Sequence, residues 1–313
     1  METKETRNIE VLKHRSYVRC LRDGMAIGMK YMGVTMRLAW PTVVAFALMF
    51  AWFLWLESGV LQAVMEGRMG QAMAVLCVAG VLLALAEMGF YACVLWHQRR
   101  LVELGFLPEV RLWREYRSIG RTFLRVLWVS LASFVLWMVF LLLCGALVTG
   151  CGMLTEKTGG ASWAWAMAVG MAIVLGAVLV WLMGFTYQLF MEYMMGDGSL
   201  KDAFRSFTWG RRYLSRTIVV SLLSLFVMLV LWLLVSLPML TCRMVDGYVV
   251  QMLMEGETAV LPSYYSFLRF FAFLLSGVGC CLTLLLVLYP LCLNWGSIHA
   301  MEQERTEAMA ETL

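Results

Sequence analysis

Residues 217–240 read TIVVSLLSLFVMLVLWLLVSLPML, a stretch without an acid or a base. About 20 consecutive apolar residues are enough for a helix to cross the hydrocarbon core of a bilayer. A strand of a membrane barrel needs only about ten residues, and those alternate between apolar and polar. This run does not alternate. In lipid, every backbone N–H and C=O must be satisfied within the segment, and a helix does this alone. The stretch is therefore a transmembrane helix, and the class of the whole chain follows from it.

Five more runs repeat the pattern: residues 38–56, 72–96, 126–149, 163–191 and 267–295. Arg269, near the start of the last, is the one basic residue in any of them. The composition agrees. The 313 residues are 62% hydrophobic and 15% charged, where soluble domains hold about 45–50% apolar and about 25% charged residues. Mean hydropathy is +0.77. This excludes a soluble enzyme, a disordered chain and a nucleic-acid binder. The expected fold is an all-α polytopic membrane protein. Its six transmembrane helices form three hairpins joined by amphipathic cytoplasmic helices. Residues 1–37 form a basic helical segment, 38–296 the membrane domain and 297–313 an acidic cytoplasmic tail. The first apolar run starts too late, after too long a basic segment, for a cleavable signal peptide.

Orientation follows from the basic residues, since short cytoplasmic loops hold the excess of Lys and Arg. Of 25 basic residues, 21 fall on the side of the N-terminal segment, the second and fourth connections and the tail. The other side has Arg68, Lys157, Arg243 and Arg269. Both termini are expected in the cytoplasm of a bacterium, with the bundle in the inner membrane. Trp40, Trp96, Trp128 and Trp295 would mark the cytoplasmic interface; Trp52, Trp55, Trp163 and Trp165 would mark the outer one. The nine cysteines include no CxxC and mostly sit in apolar runs, as small hydrophobes do. Cys151 and Cys242 fall at the outer rim, where an oxidising compartment would let them pair.

A faint repeat runs through the chain. Arg37, Arg125 and Arg216 each stand just before an odd-numbered span. Met88-Gly89-Phe90 and Met183-Gly184-Phe185 recur in even-numbered ones. Hydrophobic hairpins also resemble one another by composition alone. Ala168, Ala172 and Gly176 make a small-residue stripe suited to close helix contact. Pro41, Pro238 and Pro290 lie in or beside spans, where proline frees a backbone acceptor and kinks a helix.

The fourth connection has its own grammar. Ser199 followed by Asp202 predicts a helix start with a capping pair. Leu200, Ala203, Phe204, Phe207 and Arg211 then follow helical spacing. Lys201, Arg205, Arg211 and Arg212 would contact anionic lipid headgroups from a short amphipathic helix lying in the interface. Ordinary topology setting explains the same charges. Ile9–Lys30, interrupted by Gly24 and Gly28, and Val110–Arg125 read similarly. The stretch Gly198-Ser199-Leu200-Lys201-Asp202-Ala203-Phe204-Arg205-Ser206-Phe207, with Gly210-Arg211-Arg212-Tyr213-Leu214, resembles the connector of certain bacterial six-span proteins. These are related to the membrane domain attached to glycerophosphoryl diester phosphodiesterases. The resemblance implies fold and location. In that family catalysis belongs to a separate soluble barrel, which these 313 residues do not accommodate.

Signatures of chemistry are sparse. His14, His97 and His299 are the only histidines, none at a span centre. There is no HExxH, Walker A loop or GxGxxG. His97 and His299 could meet at the cytoplasmic face, but a metal would need further ligands. No metal, cofactor, catalytic residue or nucleic-acid partner is expected. Glu87 lies inside the second span, and a carboxyl at that depth is a functional candidate by default. A protonated or hydrogen-bonded glutamate that helps helices pack is the alternative. Gln188, Asn294, Tyr91 and Tyr187 are its candidate partners. Three functions compete. The first is a non-enzymatic membrane protein that contacts lipid, another membrane protein or a second copy of itself. The second is a small-molecule or ion permease with Glu87 in its path. The third is an intramembrane enzyme, for which no nucleophile–base pair is apparent.

Overall fold

The computed structural model describes residues 11–65, 67–105, 112–158, 161–196, 199–204, 211–255 and 261–311. It describes their side chains except at 61–65, 112–113, 146–148, 150–158, 161–168, 211 and 253. The described chain is all-helical. It comprises α1 (Tyr17–Met65), α2 (Met69–Leu104), α3 (Leu112–Thr158), α4 (Ala161–Met195), α5 (Leu214–Val235), α6 (Leu237–Met254) and α7 (Tyr265–Glu311). A helical turn at 200–204 and a 3-10 turn at Arg211–Tyr213 lie between α4 and α5. All except α6 are long and apolar enough to cross a membrane. The protein is a six-span helical membrane protein.

The spans form a closed ring in which each packs on the next, from α1 through α5 to α7 and back to α1. Within it α7 is the core element. Over its most apolar window 56% of residues are buried, against 22% or less in every other span. The cause lies in its small residues, which let backbones approach closely. Gly277 packs on the backbone of Ala47, and Gly279 on Val235. Elsewhere the outward faces are apolar: Leu124, Trp128, Leu131 and Val135 on α3, and Leu222, Phe226 and Leu229 on α5. Lipid is the medium that suits them.

From Tyr17 the basic N-terminal segment is helical and runs without a break into the first span, as one helix α1. At about 1.5 Å per residue, its 49 residues reach ~74 Å, more than twice a ~30 Å hydrocarbon core. Gly24 and Gly28, expected as interruptions, are its contact points with α7. A Cβ on Gly24 would collide with the Pro290 backbone, and one on Gly28 would meet Tyr289 and Leu286. Ahead of the helix, Val11 is buried, and its carbonyl occupies the space a Cβ on Gly296 would need. The last turns of the apolar run on α7 are thus covered by the basic N-terminal part of the chain.

The fifth span also ends early. Ser236 caps α5, its hydroxyl donating to the Leu233 carbonyl at 3.2 Å, and α6 starts anew at Leu237. Pro238 then sits in a first turn, where its missing N–H costs nothing. The tail expected from residue 297 is the helical continuation of α7 as far as Glu311. Of the small-residue stripe on α4, Ala172 and Gly176 are exposed, and Gly176 has no neighbouring atom within 4 Å of an added Cβ; the Ala168 side chain lies outside those described.

Candidate functional site

Glu87 is half-buried on α2. The Tyr91 hydroxyl, one turn on, lies beside it, and the Cys280–Cys281 pair of α7 is close by. Of the expected partners, Tyr91 is therefore the one brought to it. Gln188 and Asn294 lie elsewhere, lining one narrow crevice with Tyr187, Glu192, Thr217 and Trp295. Asn294 stands 13 residues beyond Cys281 on α7, and at about 1.5 Å per residue that is roughly 20 Å along the axis. The three intramembrane candidates thus divide between two levels of the bundle.

The level of Asn294 holds a residue that sequence reasoning treated only as a topology charge. Arg216, in the first turn of α5, is 7% exposed. Its Nε donates to Asn294 Oδ1 at 3.1 Å, and its Nη2 to Ser297 Oγ at 2.8 Å and to the Arg15 carbonyl. The sulfurs of Cys20 and Met301 lie at 3.4 and 3.6 Å, and the Tyr17 ring is stacked 5.3 Å from the guanidinium. Ser297 Oγ also accepts the Arg15 backbone N–H at 2.9 Å. Arg216 thereby ties α5, α7 and the segment leading into α1. Its signal in the sequence is weak: a charge flush with the start of an apolar run, and an Asn-x-x-Ser pair on one helix face.

His97 and His299 sit in separate networks. His97 is 1% exposed. Its Nδ1 lies 3.0 Å from Thr35 Oγ1, which lies 3.0 Å from the Tyr289 hydroxyl and 3.1 Å from the Tyr31 carbonyl. One hydroxyl has one proton and two lone pairs. If Thr35 donates to the carbonyl, both other groups donate to it, and His97 carries its proton on Nδ1. His299 Nε2 is 3.0 Å from Glu192 Oε2, which also accepts the Trp295 indole N–H at 2.9 Å. Among the described residues no group of three or more metal-ligating side chains forms.

Trp295 is thus a bonded member of the bundle rather than a lipid-facing belt residue. So is Trp96, 3% exposed, whose N–H donates to Ser118 Oγ at 2.8 Å. Trp40, Trp55 and Trp128 do face outward.

The end of the bundle where α2 and α7 finish is strongly basic. Between α2 and α3 a cleft of about 250 Å³ is lined by Trp96, Arg99, Arg100, Glu103, Ser118, Arg121, Thr122 and Arg125. Glu103 accepts from Arg99 at 3.1 Å and from Arg100 at 3.2 Å. Arg125 donates to the Gly196 carbonyl at 3.2 Å and lies over the Tyr193 ring.

The capping pair of the fourth connection is present in reciprocal form. Asp202 Oδ2 accepts the Ser199 N–H at 2.8 Å, and Ser199 Oγ accepts the Asp202 N–H at 3.4 Å. Lys201 is exposed, Ala203 is buried, and Phe204 meets the Phe185 ring at 6.1 Å. Arg205 lies outside the described residues, as does the side chain of Arg211. Arg212 is exposed and pairs with Glu302 of the tail at 4.0 Å. The Tyr213 hydroxyl donates to Glu302 at 3.0 Å. Desolvation, and then that carboxylate, hold it above the ordinary tyrosine pKa, so it stays a donor.

The opposite end has a smaller charge set. Asp246 of α6 accepts from Arg269 at 3.1 Å and from the Tyr265 hydroxyl at 3.0 Å, while Arg243 pairs with Glu57. Cys242 is a buried free thiol, and the Cys151 side chain lies outside those described.

The two Met-Gly-Phe triplets do different work. Gly89 rests on Thr42 of its own hairpin, whereas Gly184 rests on Ile218 of the next one. The three repeat arginines diverge too: Arg37 is exposed, Arg125 half-buried and Arg216 buried. Searches found no matching family model, no matching curated protein and no matching solved structure.

Proposed function

We propose that the chain is a non-catalytic, multi-pass protein of a bacterial inner membrane, with both termini cytoplasmic. Its basic end works by contact with anionic lipid or with other membrane proteins. The observation behind this reading is the one-sided distribution of charge: 21 of 25 basic residues belong to one side of the spans. Lys201, Arg212 and Arg121 are exposed there. Near a negatively charged leaflet each such residue contributes about 1 kcal/mol. The reading is tested by reconstituting the protein in acidic and in neutral liposomes and following hydrogen exchange over residues 199–216. Acidic lipid is expected to protect the segment. The variant with Lys201, Arg205, Arg211 and Arg212 replaced by Gln is expected to lose that protection. Protection independent of lipid charge would overturn the reading.

A second reading, a permease for a small molecule or ion, is supported by Glu87 alone. Its carboxyl lies between α2 and α7 with Tyr91 and two thiols around it. The polar groups of Asn294 and Gln188 are gathered at another level, which favours the first reading.

A further inference from the structure

We infer that the cleft between α2 and α3 is a discrete binding site for the phosphate group of an anionic phospholipid. The inference rests on the lipid-contact reading above and gives it a location. Four arginines line the cleft against one carboxylate. Glu103 is already engaged by Arg99 and Arg100. Arg125 is positioned by a backbone carbonyl and a tyrosine ring, neither of which neutralises it. Arg121 is exposed at the rim. Two guanidinium groups one helical turn apart on α3 therefore face a cavity with charge to spare. The planar fork of arginine matches two phosphate oxygens at once.

Hydroxyls complete the set. Ser118 Oγ accepts the Trp96 indole N–H, which leaves its own proton free to donate into the cleft. Trp96 is held in turn by the Arg100 guanidinium at 5.4 Å from its ring. A volume of about 250 Å³ is several times the ~30 Å³ share of one water in the liquid. It admits a phosphate diester together with the first carbons of its glycerol.

The surroundings select a lipid over a free ion. Beyond Arg121 and Arg125, on the adjoining face of α3, run the exposed side chains Leu124, Trp128, Leu131 and Val135. They follow helical spacing away from the cleft. An acyl chain attached to a phosphate in the cleft would lie along them. A headgroup carrying an ammonium group would bring a cation into an arginine-rich site, so phosphatidylglycerol fits and phosphatidylcholine does not.

The test uses the full chain in detergent and native mass spectrometry with phosphatidylglycerol, phosphatidylcholine or inorganic phosphate as the probe. One tightly held phosphatidylglycerol is expected, with phosphatidylcholine at least about tenfold weaker, a difference of about 1.4 kcal/mol. Arg121→Gln, at an exposed position, is expected to weaken phosphatidylglycerol about tenfold and leave phosphatidylcholine unchanged. Arg125→Gln is expected to do the same, and Arg68→Gln, exposed on the opposite side of the spans, to leave the tight lipid in place. Wild-type binding to both lipids alike would overturn the lipid reading itself. Selective binding that survives both arginine substitutions would overturn the cleft while leaving that reading standing. Displacement of the lipid by equimolar inorganic phosphate would show a phosphate site with no lipid preference, and so also overturn the proposal.

Discussion

Replacing Arg216 by Met keeps most of the stem and removes every donor from the junction of α5, α7 and the segment before α1. Three oxygen acceptors lose a charged partner: Asn294 Oδ1, Ser297 Oγ and the Arg15 carbonyl. Ser297 keeps the Arg15 N–H, so Asn294 is the acceptor left most exposed to the loss. A buried group left unpaired costs about 1–3 kcal/mol, and hydrogen bonds to charged groups contribute about 1.5–3 kcal/mol each. Relief from burying an ion that no carboxylate neutralises offsets part of this. The net loss expected is about 3 kcal/mol. For a chain of this size, about 2 °C per kcal/mol places the fall in thermal midpoint near 6 °C. The assay is thermal unfolding in detergent beside limited trypsin digestion, with cleavage after Lys13, Arg15 and Arg19 as the readout. Cleavage there should quicken before the rest of the bundle opens. Arg216→Lys keeps the charge but reaches fewer acceptors, and should recover part of the loss. If Arg216→Met melts with the wild type and its N-terminal segment stays equally protected, the junction does not hold the three elements together.

Glu87→Gln preserves a group that can accept the Tyr91 hydroxyl, so its thermal midpoint should move by less than about 2 °C, or roughly 1 kcal/mol; a collapse of the fold would show that a charged carboxylate is structurally required. Gly24→Leu forces side-chain atoms onto the Pro290 backbone, where even a Cβ alone would collide. Overpacking of this kind costs about 1–3 kcal/mol or more, and a monodisperse, fully stable Gly24→Leu protein would contradict the α1–α7 contact. Gly176→Ala meets no atom within 4 Å and, in the middle of a helix, should leave the midpoint unchanged or raise it, by up to about 1 kcal/mol of stability, so a clear fall would show that this face is used. Asp246→Asn weakens the pairing of Arg269 and should cost about 1–2 kcal/mol, read as a lower midpoint.

The apolar runs located all six spans, because about twenty residues without charge have few other uses. The capping pair at Ser199 and Asp202 was equally legible, since both partners lie within one helical turn. Boundaries were less so. Apolar composition does not distinguish lipid from protein as the covering medium, and the end of α7 is covered by α1. Gly24 and Gly28 read locally as weak points of a helix, whereas their purpose is contact with residues more than 250 positions away. Arg216 looked like one more topology charge, because nothing local shows that Asn294, Ser297 and Arg15 converge on it. The division of Glu87 from Gln188 and Asn294 is likewise a matter of relative depth. It depends on how α2, α4 and α7 slide past one another, which no window along the chain records.

Everything said of lipid contact depends on which compartment the basic end faces. Reporter fusions after Arg100, Lys157 and Arg212, in cells that signal cytoplasmic and external locations differently, measure this directly. The expected result is a cytoplasmic signal at Arg100 and Arg212 and an external one at Lys157. An external signal at Arg100 and Arg212 with a cytoplasmic one at Lys157 would put the arginine cleft on the wrong side of the membrane and contradict the account.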